Sequence, residues 1–126
     1  MSNSQAHRIT FGATPGHAWA VFQGRMIADS DRAVLLLEGS IPPVCYFPES
    51  DIDFEFLTQT DQRTHCPFKG EASYWTLDID GRVEHNIAWA YKDPLLEVMQ
   101  IKGHLAFYAD RVDALVVDHS DPRAAR

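Results

Sequence analysis

Apolar residues recur at alternate positions along much of the chain, the spacing of strands that bury one face. Apolar stretches at 18–21 and 25–28 flank Gln23-Gly24. Gly24 can take the positive φ of a tight turn, so the pair predicts a β-hairpin. Positions 32–37 form another apolar run of strand length. Residues 39–43 break it, 44–47 resume an extended pattern, and Pro48 closes it. Ile52, Phe54 and Phe56 then fall on one face of a further strand, with Asp53 and Glu55 on the other.

The clearest hairpin begins at Ser73. Trp75, Leu77 and Ile79 alternate before Asp80-Gly81, and Val83, Ile87, Trp89 and Tyr91 alternate after it. A two-residue turn at Asp80-Gly81 sets Leu77 opposite Glu84 and throws the two apolar sets onto opposite faces, which is costly where one face is buried. A three-residue loop, Ile79-Asp80-Gly81, pairs Leu77 with Val83 and Asp78 with Arg82. The second register is the one expected, with Gly81 as a left-handed bulge residue.

One helix is predicted, over about 94–102. Asp93 can cap it, Pro94 suits its first position, and Leu95, Val98, Met99 and Ile101 make its apolar side. Gly103 can end it. Positions 105–108 and 112–117 are the last two strands, around Ala109-Asp110-Arg111. Eight or so strands with one short helix imply a mainly β fold: a sandwich, a roll or a partly open barrel.

Composition adds bounds. The 126 residues suit a single domain spanning 1–126. Its core is expected over about 7–118, with polar, aperiodic ends at 1–6 and 119–126 that are expected to fray. A chain of this length hides roughly two-thirds of its unfolded surface, so it needs no metal or disulfide staple. No repeat or low-complexity stretch is evident. No apolar run approaches the ~18 residues of a membrane span, and the opening Met1-Ser2-Asn3-Ser4-Gln5 lacks the apolar core of a secretory signal. A cytoplasmic location with no membrane partner is therefore expected. The formal net charge of −7 works against binding a nucleic acid polymer. Two cysteines, Cys45 and Cys66, are too few for a disulfide framework.

The string Thr64-His65-Cys66-Pro67-Phe68-Lys69-Gly70-Glu71-Ala72-Ser73-Tyr74-Trp75 resembles the central motif of the bacterial family called domain of unknown function 427. Agreeing pieces follow in the same order: Ala28-Asp29-Ser30, Pro42-Pro43-Val44-Cys45-Tyr46-Phe47-Pro48, Ala88-Trp89-Ala90-Tyr91, Asp93-Pro94, Ala106-Phe107-Tyr108 and Asp110-Arg111-Val112-Asp113. The likeness covers roughly residues 18–113. It implies a mainly β fold with a tent-like architecture, related to zinc-carrying proteins such as the B-type methionine sulfoxide reductases. It brings no established activity or cofactor, although the family is sometimes catalogued as a nucleotidyltransferase.

The nucleotidyltransferase idea has a partial string behind it. Gly39-Ser40, a ten-residue spacer, then Asp51-Ile52-Asp53 imitates the pattern in which two carboxylates hold Mg²⁺ for attack on a phosphate. In that pattern the spacer begins as a helix. Here Pro42, Pro43 and Pro48 forbid one. A structural zinc wants four nitrogen or sulfur ligands in close pairs, and no Cys-x-x-Cys occurs, so no metal is expected. The glycines of 12–16 hint at a phosphate loop but lack the closing Gly-Lys-Ser/Thr.

The segment 63–75 carries the densest chemistry. Cys66 lies beside His65 and three residues before Lys69, which makes Cys66 and His65 the candidate nucleophile and base. On a strand, however, neighbours point to opposite faces. Arg63, Lys69, Ser73, Tyr74 and Trp75, with Trp89 and Tyr91 as a stacking wall, are the candidate contacts of a small anionic or ring-containing ligand. Trp75 and Trp89 equally suit a core. Binding is favoured over catalysis, because neither catalytic set has internal geometry. Exposed strand edges offer a third role, pairing into a homodimer.

Overall fold

The computed structural model describes residues 8–119. The chain ends at 1–7 and 120–126, which hold most of the segments expected to fray, lie outside the described residues. Among the described residues ten strands form two open antiparallel sheets, neither closed into a barrel. This is the mainly β, roll or tent-like architecture expected.

Strands β2 (His17–Phe22) and β3 (Arg25–Ser30) form the first hairpin. Gln23 and Gly24, with φ of 53° and 73°, make its turn, the mirror-image geometry whose twist suits two-residue hairpins. Strand β10 (Ala114–Asp118) adds to β2 and completes a three-stranded sheet. The larger sheet has seven strands in the order β1-β4-β5-β9-β8-β7-β6. Its members are β1 (Ile9–Phe11), β4 (Val34–Glu38), β5 (Ile41–Pro48), β6 (Leu57–Cys66), β7 (Gly70–Ile79), β8 (Arg82–Ala90) and β9 (His104–Phe107).

The main core lies between the sheets. Ala18, Ala20, Phe22 and Ile27 of the small sheet meet Phe47, Trp75, Leu77 and Leu105 of the large one. The outer face of the large sheet carries a second core, built on Leu36, Tyr46, Tyr74 and Tyr91 and covered by Val98 and Ile101.

That second core corrects the expected register of the β7–β8 hairpin. The structure pairs Ile79 with Arg82 and Leu77 with Glu84 across a two-residue turn, with φ of 53° at Asp80 and 83° at Gly81. Placing the two apolar sets on opposite faces is costly only if one face is wet. Here Trp75, Leu77 and Ile79 fill the inner core, while Trp89 and Tyr91 pack in the outer one. Glu84 is answered by Arg111, 2.9 Å away.

Three further expectations are corrected. The predicted strand through Ile52, Phe54 and Phe56 is instead two single 3₁₀ turns, Glu49–Asp51 and Phe54–Phe56, joined by Ile52 in an isolated bridge to Ala28. The Asp53 side chain accepts from the Glu55 amide and caps the second turn, so the local hydrogen bond wins over extension. The short helix near 94–102 runs over Leu96–Ile101 as 3₁₀ turns kinked at Val98, with Leu95 rather than Asp93 at its cap. Positions 39–43 do not break the chain for their whole length. Glu38 pairs with Ile41 around a two-residue turn, and β5 runs on through both prolines. Pro42 and Pro43 lack the N–H that a ladder needs, and the register shifts beside them.

Candidate functional site

The β6–β7 connection holds the motif segment. Cys66, Pro67, Phe68 and Lys69 make a four-residue turn in which the Lys69 amide donates to the Cys66 carbonyl at 3.2 Å. Proline at the second position pre-sets the φ such a turn needs. Gly70 follows with φ of +117°, and a Cβ there would stand 3.4 Å from the Asp93 carbonyl oxygen. Only glycine holds that conformation without strain. The turn is pinned from outside by the Leu95 amide, which donates to the Lys69 carbonyl at 2.9 Å.

First and last residues of such a turn lie side by side, so the Cys66 and Lys69 side chains converge. Lys69 Nζ is 3.6 Å from Cys66 Sγ and 2.8 Å from Glu38 Oε1 on β4. The Lys69 and Glu38 side chains are only 11% and 15% exposed. A pair so removed from water holds strongly only while both partners remain.

Phenols surround this group. Tyr74 shares a 2.8 Å hydrogen bond with Thr64, and Trp89 Nε1 donates to the Tyr46 hydroxyl at 3.2 Å. Burial pushes the Tyr46 and Tyr91 hydroxyls well above the ordinary phenol range, helped by the negative charge available at Glu38 and Cys66. Both stay neutral at physiological pH. Tyr108 is raised as well, first by burial and then by Tyr74, whose hydroxyl it meets. The Tyr108 ring lies against Trp89, with centroids 4.6 Å apart.

Beyond Trp89 the large sheet splits. β5 pairs with β9 only at Phe47–Leu105 and Pro48–His104. Towards Ile41 the two strands part beyond Phe47, and Pro42 and Pro43 further along have no amide with which to rejoin. The result is a cleft of about 430 Å³. Pro42, Pro43 and Val44 form one wall, and Trp89, Phe107 and Tyr108 the other. Leu115 and Val117 of β10 also line it, and His119 adds a ring nitrogen. Cys45 opens onto it too, but burial pushes its thiol up to about 12, so it stays protonated. A smaller hollow of about 270 Å³ lies over the motif turn, against Pro67, Phe68, Leu95 and Ile9.

Comparison with known families bears on the same segment. The family described as domain of unknown function 427 (DUF427) matches residues 10–118. The chain belongs to this family. Among curated proteins none matches it.

In this DUF427 domain the residues singled out from sequence divide between two faces. Cys66, Lys69, Tyr74, Trp89 and Tyr91 gather on the outer face of the large sheet. Trp75 is in the inner core, and strand alternation sends the buried Ser73 to that side as well. Lys92 stands 5.5 Å over the Trp75 ring. Arg63 and His65 are exposed on the β6 edge. The Arg63 guanidinium donates to the Thr60 and Gln62 carbonyls at 3.0 and 2.9 Å. His65, paired across the ladder with Glu71, alternates away from Cys66. The pair proposed as nucleophile and base is therefore not brought together.

Asp51 and Asp53 have separate occupations in the DUF427 domain. Asp51 accepts from Ser30 at 2.6 Å and from Arg32 at 3.2 Å, and Asp53 caps a 3₁₀ turn. Among the described residues no group of three or more His, Cys, Asp or Glu side chains converges on a metal position. Glu38, Tyr46 and Tyr108 were missing from the sequence-based set. Glu38 did carry a signal: an acid two residues after Leu36 at the end of an apolar run, on the side that run buries.

Proposed function

We propose that this DUF427 domain is a binding module for a small, ring-containing ligand, held in the cleft between β5 and β9 with Trp89 and Tyr108 as its stacking wall. The single observation that carries the reading is the cleft itself, about 430 Å³ and walled by prolines, aliphatics and aromatic rings. Small-molecule sites are of this size and character, with a few polar groups that fix orientation. The polar side chain available besides Tyr108 and Trp89 is His119. A ring is favoured over a compact anion for a stated reason. The Lys69 cation is neutralised by Glu38, and Arg63 is turned onto its own strand. The motif segment is joined to the cleft through the outer core, where Tyr74 and Trp89 pack together.

The test uses 8-anilinonaphthalene-1-sulfonate, whose fluorescence rises when its rings leave water. Wild-type protein is expected to bind it saturably with one site. Val117→Phe places a ring inside the cleft and is expected to weaken binding at least about tenfold, about 1.4 kcal/mol, with the melting temperature kept. Equal binding by both proteins would place the dye on exposed apolar residues such as Leu96 and overturn the reading.

A further inference from the structure

The Cys66–Lys69–Glu38 group has a chemistry that the cleft does not use. It sets the carboxylate of Glu38 on β4 against the thiol and amine of the Cys66–Lys69 turn, with 3.6 Å between sulfur and nitrogen and 2.8 Å between nitrogen and oxygen. Cys66 is partly exposed, whereas Cys45 is buried and its thiol is held protonated, so peroxide favours Cys66. Thiols that are accessible and close to a cation are those that peroxides oxidise.

We propose that Cys66 and Lys69 are an oxidative modification site, at which peroxide links the two side chains through a bridging oxygen, S–O–N. The thiolate first attacks one hydrogen peroxide, which breaks the O–O bond, gives the sulfenic acid Cys–S–OH and releases water. A second hydrogen peroxide removes two electrons and two hydrogens. The S–O–H and one N–H bond are lost, the O–N bond forms, and the peroxide leaves as two waters. In sum, one thiol, one amine and two peroxides give one bridge and three waters.

Glu38 supplies what the second step needs. The amine must shed its ammonium proton before its lone pair can bond, and the carboxylate 2.8 Å away is placed to take that proton. The gap also selects the product. An inserted oxygen spans a separation that a direct S–N bond would have to close completely. Nothing here depends on the occupant of the cleft.

The experiment treats the full chain with hydrogen peroxide, digests it with trypsin and weighs the peptides. Lys69 closes the peptide that begins after Arg63, so a bridged Lys69 is not cleaved and the peptide extends to Arg82. The expected product is that longer peptide with one oxygen gained and two hydrogens lost, restored to normal cleavage by dithiothreitol. Cys45 should remain unmodified in the same digest. Cys66→Ser is expected to abolish the product. Lys69→Arg keeps a cation for Glu38 and is expected to carry Cys66 on to the sulfinic acid. A wild-type digest that shows oxygen added with Lys69 still cleaved overturns the bridge. So does loss of two hydrogens without an added oxygen.

Discussion

Ser30 shows how much one buried hydroxyl can organise. It donates to Asp51 at 2.6 Å and accepts from the Arg32 amide at 2.9 Å. The hydrogen bond from Ser30 is the main reason the Asp51 carboxyl lies below its usual range, with Arg32 adding to it. Ser30→Ala leaves the Arg32 amide without that acceptor and should cost about 1–3 kcal/mol in urea unfolding. The sign of the pH dependence follows. A carboxyl lowered in the folded state stabilises above its unfolded value, and the gain is lost as pH falls through the lowered folded value. Asp113, lowered by the Gln23 amide and Arg82, behaves likewise. The stability gap between wild type and Ser30→Ala should therefore narrow on acidification, which urea titrations at neutral and acidic pH would measure. At this scale the sequence was informative where spacing fixes direction: Cys66 and Lys69 sit at the ends of one turn. It was silent on Tyr108, and for Glu38 it showed an acid at the end of an apolar run but not Lys69 as its partner, because the partners of both arrive from distant strands.

Elements show why a sound local rule can give the wrong register. The β7–β8 hairpin was expected to align its apolar sets, a rule that assumes one wet face. The second core removes that assumption, and the strand adjusts further on. Between the Trp75–Ala88 and Leu77–Glu84 pairs, residues 85–87 of β8 stand opposite Thr76 alone. Asn86 makes this possible with φ of 52°, its amide donating to Thr76 Oγ1 at 3.2 Å and its Oδ1 accepting from Thr60 at 2.6 Å. Left-handed backbone at a β-branched residue costs about 1–3 kcal/mol. Asn86→Val should lose at least that much stability, and Asn86→Gly less, since glycine keeps the backbone and forfeits only the side-chain bonds. Chemical denaturation of the pair would check the order. Turn signals at Gln23-Gly24 and Asp80-Gly81 were legible because they are local. The helix was overestimated because Asp93 and Pro94 signal a start, while Leu95 is still extended and Val98 departs from helical backbone.

The whole molecule is held by a core to which both sheets contribute. Phe22 is its clearest link: fully buried on the small sheet, with the Arg82 guanidinium of the large sheet 4.0 Å over its ring. Arg82 also reaches Asp113 at 2.8 Å, just before β10. Neither sheet can lose the other without exposing that core. Fluorescence of the tryptophans, which lie on both sheets, should therefore melt together with the far-ultraviolet signal of the strands. Phe22→Ala should cost about 3–5 kcal/mol and move both curves by the same amount. Separate transitions would mean that the sheets fold independently. Fold class was readable from strand spacing alone, but the division into seven and three strands was not, because pairing partners such as β5 and β9 are far apart in sequence.

The narrow contact between β5 and β9 has one more consequence. Two residue pairs join them, and proline at position 48 offers no amide there. β9 is joined to β8 by only two pairs as well, so it is held lightly on both sides, and the free energy of local opening scales with the contacts that must be given up. Because Phe47 and Leu105 of this seam are themselves fully buried in the inner core, the mouth of the cavity cannot widen here without loosening the packing between the sheets, so dilation and core softening go together.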